Sequence, residues 1–217
     1  MRHILCLWAC LALSACGGGQ GISLLPYQDK EESPAKFRLC HGFGCSARTW
    51  VALSEKDWDF VTRPLRRKVI NAAKERAQIA EAVARMERIV QHNTGMNADI
   101  GQATTFEKDQ HQMDCLDETI NSSRTLAFLA DDGLLRYHDV GDPVHRGYFV
   151  DGMWPHNSAA VVEKDSGAVY AIDSYYFDNG KRVDVVPLDN WLDTWRPEEL
   201  RPKVIPPKPG RKPALQS

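Results

Sequence analysis

Cys115, His156 and Asp173 are of types that together perform acyl chemistry. A thiolate attacks an acyl carbon and carries the acyl group as a thioester. An imidazole takes the thiol proton and returns it to a leaving amine. A carboxylate fixes the imidazole tautomer and stabilises the imidazolium. Cys115 stands where a helix is predicted to begin, with Asp114 as N-cap and Asp117 three residues on. The unpaired N–H groups and the dipole at that end favour a thiolate. His156 and Asp173 fall at the open end of a predicted hairpin, with arms over 157–163 and 168–173 around Lys164-Asp165-Ser166-Gly167. With the turn near 165–166, the two residues lie nearly opposite each other, as an imidazole and its orienting carboxylate must. His138 and His145 are alternative bases without a cross-strand acid so well placed.

The elements that carry these residues separate along the chain. Ser54 caps a short helix over 54–61, with Asp57 in the capping-box position. A longer helix is predicted over 66–90, where Ile79, Val83, Met86 and Val90 form one apolar stripe. Residues 92–113 show no period and read as loop. The helix opened by Cys115 runs to Ala130, with Leu116, Ile120, Ser123 and Ala127 on one face, and Asp131-Asp132-Gly133 ends it. Strands follow: 134–140, 146–150, the hairpin arms, and 181–186. A short helix over 188–195 closes the unit, with Trp191 and Trp195 on the side facing the sheet. Helices first and antiparallel strands after predict an α+β domain, amino-terminal helices packed on an antiparallel β-sheet.

On Asp114-Cys115, Pro155-His156-Asn157 and Ile172-Asp173-Ser174, separated by 41 and 17 residues between Cys, His and Asp, the chain resembles the transglutaminase-like branch of the papain-like cysteine enzymes. The likeness is to the bacterial transglutaminase-like cysteine proteinases and covers roughly residues 75 to 195. It implies a transglutaminase-like domain, Cys115 as nucleophile, His156 as base, Asp173 as its partner, and a peptide or amide substrate that is hydrolysed or passed to an amine. Members often carry an acid directly after the nucleophile, where this chain has Leu116. Some bind calcium. Asp114, Asp117 and Glu118 are the acids placed to do so here, although no dedicated calcium loop is visible. These acids also push the Cys115 pKa up, against the helix dipole.

Other residues frame this site with more than one reading. Gln102, Gln110 and Gln112 precede the nucleophile, either as amide donors to an oxyanion or as solvated loop residues. Tyr148, Phe149, Trp154, Tyr175, Tyr176 and Phe177 flank the His and Asp, as groove walls or as sheet core. Phe37 to Trp50 reads as a tight loop closed by a Cys40–Cys45 disulfide. Metal binding by Cys40, His41 and Cys45 is the rival there, and a wider metal site on His41, His92 and His111 lacks ligand spacing.

The amino terminus sets the compartment. Arg2, the apolar stretch 4–15 and Leu13-Ser14-Ala15-Cys16 resemble a bacterial lipoprotein signal, cut before Cys16 with lipid on that cysteine. The apolar run is shorter than the roughly 20 residues of a membrane-spanning helix. The chain thus divides into a signal (1–15), a lipidated tether and linker (16–36), the α+β domain (37–200) and a disordered Pro-rich, basic tail (201–217). The expected location is the cell envelope, the outer membrane facing the periplasm in a Gram-negative host. Of six cysteines, Cys40, Cys45 and Cys115 stay in the mature domain, and a Cys40–Cys45 bridge leaves Cys115 as a free thiol. With 27 Lys+Arg against 29 Asp+Glu and no basic stripe, nothing argues for nucleic acid. The expected function is an envelope thiol hydrolase. The other class is a catalytically inactive lipoprotein that binds an envelope protein or glycan.

Overall fold

The structure is a computed structural model that describes residues 22–27, 31–94, 99–103, 110–148 and 154–201. The signal and Cys16, Phe149 and the tail beyond 201 lie outside the described residues. Among the described residues no helix is long and apolar enough to cross a membrane.

Among the described residues four α-helices and six strands follow one another as β1 (Phe37–His41), β2 (Ala47–Val51), α1 (Glu55–Thr62), α2 (Ala72–Thr94), α3 (Cys115–Asp131), β3 (His138–Arg146), β4 (His156–Glu163), β5 (Val169–Asp173), β6 (Asp184–Pro187) and α4 (Leu188–Leu192). β3-β4-β5-β6 form one antiparallel sheet in sequence order, and β1 and β2 form a separate hairpin. The α+β expectation holds in this form: α2 and α3 pack against a four-stranded antiparallel sheet.

Alternation along β4 and β5 explains the layering. Ala159, Val161 and Ile172 face Ile79, Val83, Leu126 and Leu129 of α2 and α3. Ala160 and Ala171 face the other way, onto Val144, Val186 and Trp191. The sheet is therefore covered on both faces, with α4 on the second. Phe37, Leu39 and Val51 of the small hairpin form another cluster with Met86, Val90 and Phe128.

Several elements differ from the expectation. Residues 37–50 form two paired strands with a loop at their end, because Phe37, Leu39 and Val51 alternate inward. α2 begins at Ala72, six residues late, since the Asn71 side chain accepts from the Lys74 N–H at 2.8 Å and caps it there. β3 is one strand through Arg146, with a bulge between Gly141 and Val144 that accommodates Pro143, which has no N–H to give. Gly147 and Tyr148 are outside any strand, so the separate strand over 146–150 does not form where described. α4 stops at Leu192. Part of the segment read as linker is packed: Arg124 of α3 donates to Glu32 at 2.8 Å and to the Tyr27 carbonyl at 2.8 Å.

Candidate active site

The start of α3 is fixed locally. Asp114 accepts the N–H groups of Leu116 and Asp117, both at 3.0 Å, and the Asp117 carboxylate accepts back from the Asp114 N–H at 3.2 Å. This capping box places Cys115 in the first turn, partly buried and outside any disulfide.

β4 and β5 bring the other two residues together. The ladder pairs Ala159 with Ile172, so its continuation sets Asp173 opposite Ser158 rather than His156. His156 lies two residues along the same face and reaches Asp173 diagonally. Its Nε2–H donates to Asp173 Oδ2 at 2.8 Å, which leaves Nδ1 as the basic nitrogen of the neutral ring. Asp173 also accepts the Trp191 indole N–H at 2.7 Å and the Tyr175 backbone N–H at 3.3 Å. Burial opposes the charge of Asp173, but the attraction of His156, the His156 and Trp191 hydrogen bonds and the Arg146 charge outweigh it and hold its pKa below the ordinary value. Trp191 is fully buried and lies against the His156 ring, centroids 5.4 Å apart, with the Arg146 guanidinium stacked on it.

Cys115 and His156 line one cleft of about 330 Å³, together with Gln102, Trp154, Tyr175 and Tyr176. Burial pushes the Cys115 thiol up to about 11, and the negative charges of Asp114 and Asp173 push the same way. The backbone and side-chain N–H groups of Asn157 act in the opposite sense, the side-chain nitrogen lying 4.0 Å from Sγ. Asn157 is held by His145, whose Nδ1–H donates to Asn157 Oδ1 at 2.9 Å. His145 thus supports the thiol's neighbour, and His138 is buried at the far end of β3 beside Glu75 and Arg76.

The segment 99–103, read as plain loop, is a bridge. Asp99 accepts the Met113 N–H at 2.6 Å, and the Ile100 N–H donates to the Gln112 side chain at 3.0 Å. On its other side, the Gln102 N–H donates to the Tyr175 carbonyl at 2.8 Å and the Gly101 N–H to Asp178 at 3.2 Å. The loop therefore joins the residues before Cys115 to those after Asp173. Gly101 is required there: a Cβ would sit 2.6 Å from the Tyr176 carbonyl oxygen. Of the three glutamines, Gln102 lines the cleft, Gln112 is buried in this bridge, and the Gln110 carbonyl accepts from His41. Beneath the site, Ser174 donates to Glu118 of α3, a second tie between the helix that Cys115 opens and the strand that ends in Asp173. Burial raises the pKa of Glu118 well above the carboxylate range, and that of the adjacent Glu87 to about 8.

The acids beside Cys115 do not make a calcium cage. Both Asp117 oxygens already accept backbone N–H groups, and Glu118 turns inward to Ser174. Among the described residues no group of three His, Cys, Asp or Glu side chains converges to hold a metal ion. Cys40 and Cys45 are joined in a disulfide, with Cα atoms 4.7 Å apart. His41 is engaged separately, donating from Nδ1 to the Gln110 carbonyl at 2.7 Å and accepting from the Thr49 hydroxyl at 2.9 Å.

Among the aromatics, Tyr175 and Tyr176 pack beside His156, with ring centroids 5.0 and 5.6 Å from it. Trp154 stands at the cleft 53% exposed, while Tyr148 leans on His145. Trp191, Asn157 and the Ser174–Glu118 tie were not singled out by sequence for the roles they take; only the position of Trp191 on the closing helix hinted at one. No family model, no curated protein and no solved structure matches this chain.

Proposed function

We propose that the chain is a thiol hydrolase of the transglutaminase-like cysteine-proteinase type, displayed on a lipoprotein anchored through Cys16, and that it cuts an amide bond of a protein or peptide. The observation that carries this reading is the His156–Asp173 hydrogen bond at 2.8 Å beside a thiol that opens a helix in the same cleft. The thiol pushed up to about 11 rests protonated at neutral pH, so the reading assigns proton removal to His156 rather than to the helix dipole alone.

His156 Nδ1 accepts the thiol proton as Sγ bonds to the acyl carbon. Asp173 and Trp191 hold the imidazolium in place. The Cys115 backbone N–H, at the helix start, and the Gln102 side-chain amide are the donors for the oxyanion. The imidazolium then protonates the leaving amine, the C–N bond breaks and the thioester remains. Water attacks next, with His156 as base, and releases the acid and the thiol. An amine in place of water gives amide transfer on the same thioester.

One observation favours the second class, an inactive module that binds an envelope protein or glycan: the high pKa of Cys115. Incubation of the full chain with denatured protein substrates and with peptidoglycan peptides, read by mass spectrometry, separates the two. The hydrolase reading expects new amide cleavages absent with Cys115→Ser and His156→Ala. Substrate bound intact, with no acylated Cys115 in acid-quenched samples, overturns it in favour of the binding module.

A further inference from the structure

We propose that the Cys40–Cys45 bridge is a redox-operated clamp that holds the start of the nucleophile's helix in its working position, a regulation that rests on the reading of Cys115 as nucleophile. The bridge closes the loop between β1 and β2. Gly42, Phe43, Gly44 and Cys45 all have positive φ, at 79°, 68°, 67° and 56°. Phe43 and Cys45 are thus held in a left-handed conformation that residues with a side chain avoid. A left-handed turn points its successive N–H groups the same way, and here they meet the capping acids. Phe43 donates to Asp117 at 2.9 Å, Cys45 to the other Asp117 oxygen at 2.6 Å, and Gly44 to Asp114 at 3.0 Å.

The same loop grips the chain on both sides of Cys115. Before it, the Gly42 N–H donates to the Gln112 carbonyl at 2.9 Å and His41 to Gln110 at 2.7 Å. After it, Asn121 of α3 accepts from the Cys40 N–H at 2.9 Å and donates to the Cys40 carbonyl at 2.8 Å. Cys40 and Cys45 cluster with Ile120, and Leu116 packs against them. Without the bridge, nothing covalent keeps Phe43 and Cys45 left-handed. As they relax, Asp114 and Asp117 lose their three external donors, and two adjacent carboxylates face each other at the helix start. The first turn of α3 then opens and Cys115 leaves its place beside Asn157.

The chemistry is a disulfide exchange. The Cys40 and Cys45 thiols give two protons and two electrons to a disulfide donor, which leaves as two thiols while the Cys40–Cys45 bond forms; a dithiol reductant reverses it. The chain is therefore inactive while reduced and becomes competent once it reaches an oxidising compartment.

The test uses the full chain, oxidised, then reduced with dithiothreitol, and the Cys40→Ser/Cys45→Ser variant. Two readouts are taken: the pH profile of Cys115 alkylation by iodoacetamide, resolved by peptide mass, and amide hydrogen exchange at residues 43–45 and 115–118. Opening the bridge is expected to slow alkylation at neutral pH at least tenfold, move the profile to higher pH and speed exchange in both segments. Glutathione disulfide restores the reduced wild type but not the variant. Asp117→Asn, which keeps the bridge but removes an acceptor, is expected to speed exchange in both segments and covers the case in which the double variant does not fold. Unchanged alkylation and exchange after reduction overturn the clamp. If oxidised wild type and His156→Ala already alkylate alike, the nucleophile reading fails instead, and unchanged exchange still decides against the clamp on its own.

Discussion

The strongest demand on the proposed chemistry concerns the proton on Cys115. Burial and nearby carboxylates push its pKa to about 11, against an ordinary value of 9.0. An isolated thiol of that kind is about 10⁻⁴ ionised at pH 7, roughly a hundredfold less than an ordinary cysteine. His156 is the compensating group, because its Nε2 is committed to Asp173 and Nδ1 is left to accept. In the wild type the thiolate–imidazolium pair should therefore form well below pH 9. In His156→Ala only the bare thiol remains, and its ionisation should climb through pH 9 to 11. Iodoacetamide alkylation of Cys115, followed from pH 5 to 11, reads this directly. The expected result is a low-pH plateau or shoulder in the wild type, at least tenfold above His156→Ala at pH 7. Superimposable profiles, both rising only near pH 11, would refute the base assignment.

Trp191→Phe removes the indole donor to Asp173 while keeping most of the ring's volume. A hydrogen bond to a charged group is worth about 1.5–3 kcal/mol, so the low-pH alkylation plateau should drop about tenfold or more, and an unchanged plateau would deny Trp191 a positioning role. Gly101→Ala forces a Cβ to within 2.6 Å of the Tyr176 carbonyl, and undocking that loop should cost roughly 1–3 kcal/mol in denaturant melts and impair turnover. Glu87 is held protonated by burial, with a folded pKa of about 8, above its unfolded value. The folded state then binds more protons than the unfolded one, so this stability is full below the unfolded pKa and is lost as pH rises through about 8. The melting temperature should fall from about pH 5 to pH 8 and level off above it, and Glu87→Gln should flatten that fall; a wild-type melt independent of pH between 5 and 8 contradicts the assignment.

The parts legible in the sequence were those fixed by local chemistry. The capping boxes at Ser54 and Asp114 announce their helices within four residues, and both form. The β4–β5 hairpin was readable because its turn residues and apolar arms are contiguous. What failed needed knowledge of distant partners. The turn residues put Asp173 nearly opposite His156, whereas the ladder continues to Ser158 opposite Asp173, so His156 meets Asp173 diagonally. The hairpin at 37–51 reads as loop in the sequence because its strands are short and two glycines stand between the cysteines, although its inward residues pack on Met86, Val90 and Phe128. The Gly141–Pro143 bulge looked like a break between strands. The bridge at 99–103 has no period at all; its order comes from Gln112, Met113, Tyr175 and Asp178, none of them local. The Trp191 indole could be placed on the sheet but not aimed at Asp173.

A thiol ringed by Asp114, Asp117, Glu118 and Asp173 looks ill suited to the negative charge that the proposed role as nucleophile needs. The structure answers with a different device for each acid. Asp114 and Asp117 are met by backbone N–H groups of the disulfide-closed loop, although burial still raises Asp117 to about 7. Burial pushes the pKa of Glu118 well above its ordinary value. Asp173 has its pKa held down, and its charge falls on the His156 side of the cleft, where the proposed reaction forms an imidazolium. The negative charge of Asp173 is therefore placed where the proposed reaction uses it. Asp114 and Asp117 accept six backbone N–H bonds, and three of those donors reside on the loop that the Cys40–Cys45 bond closes.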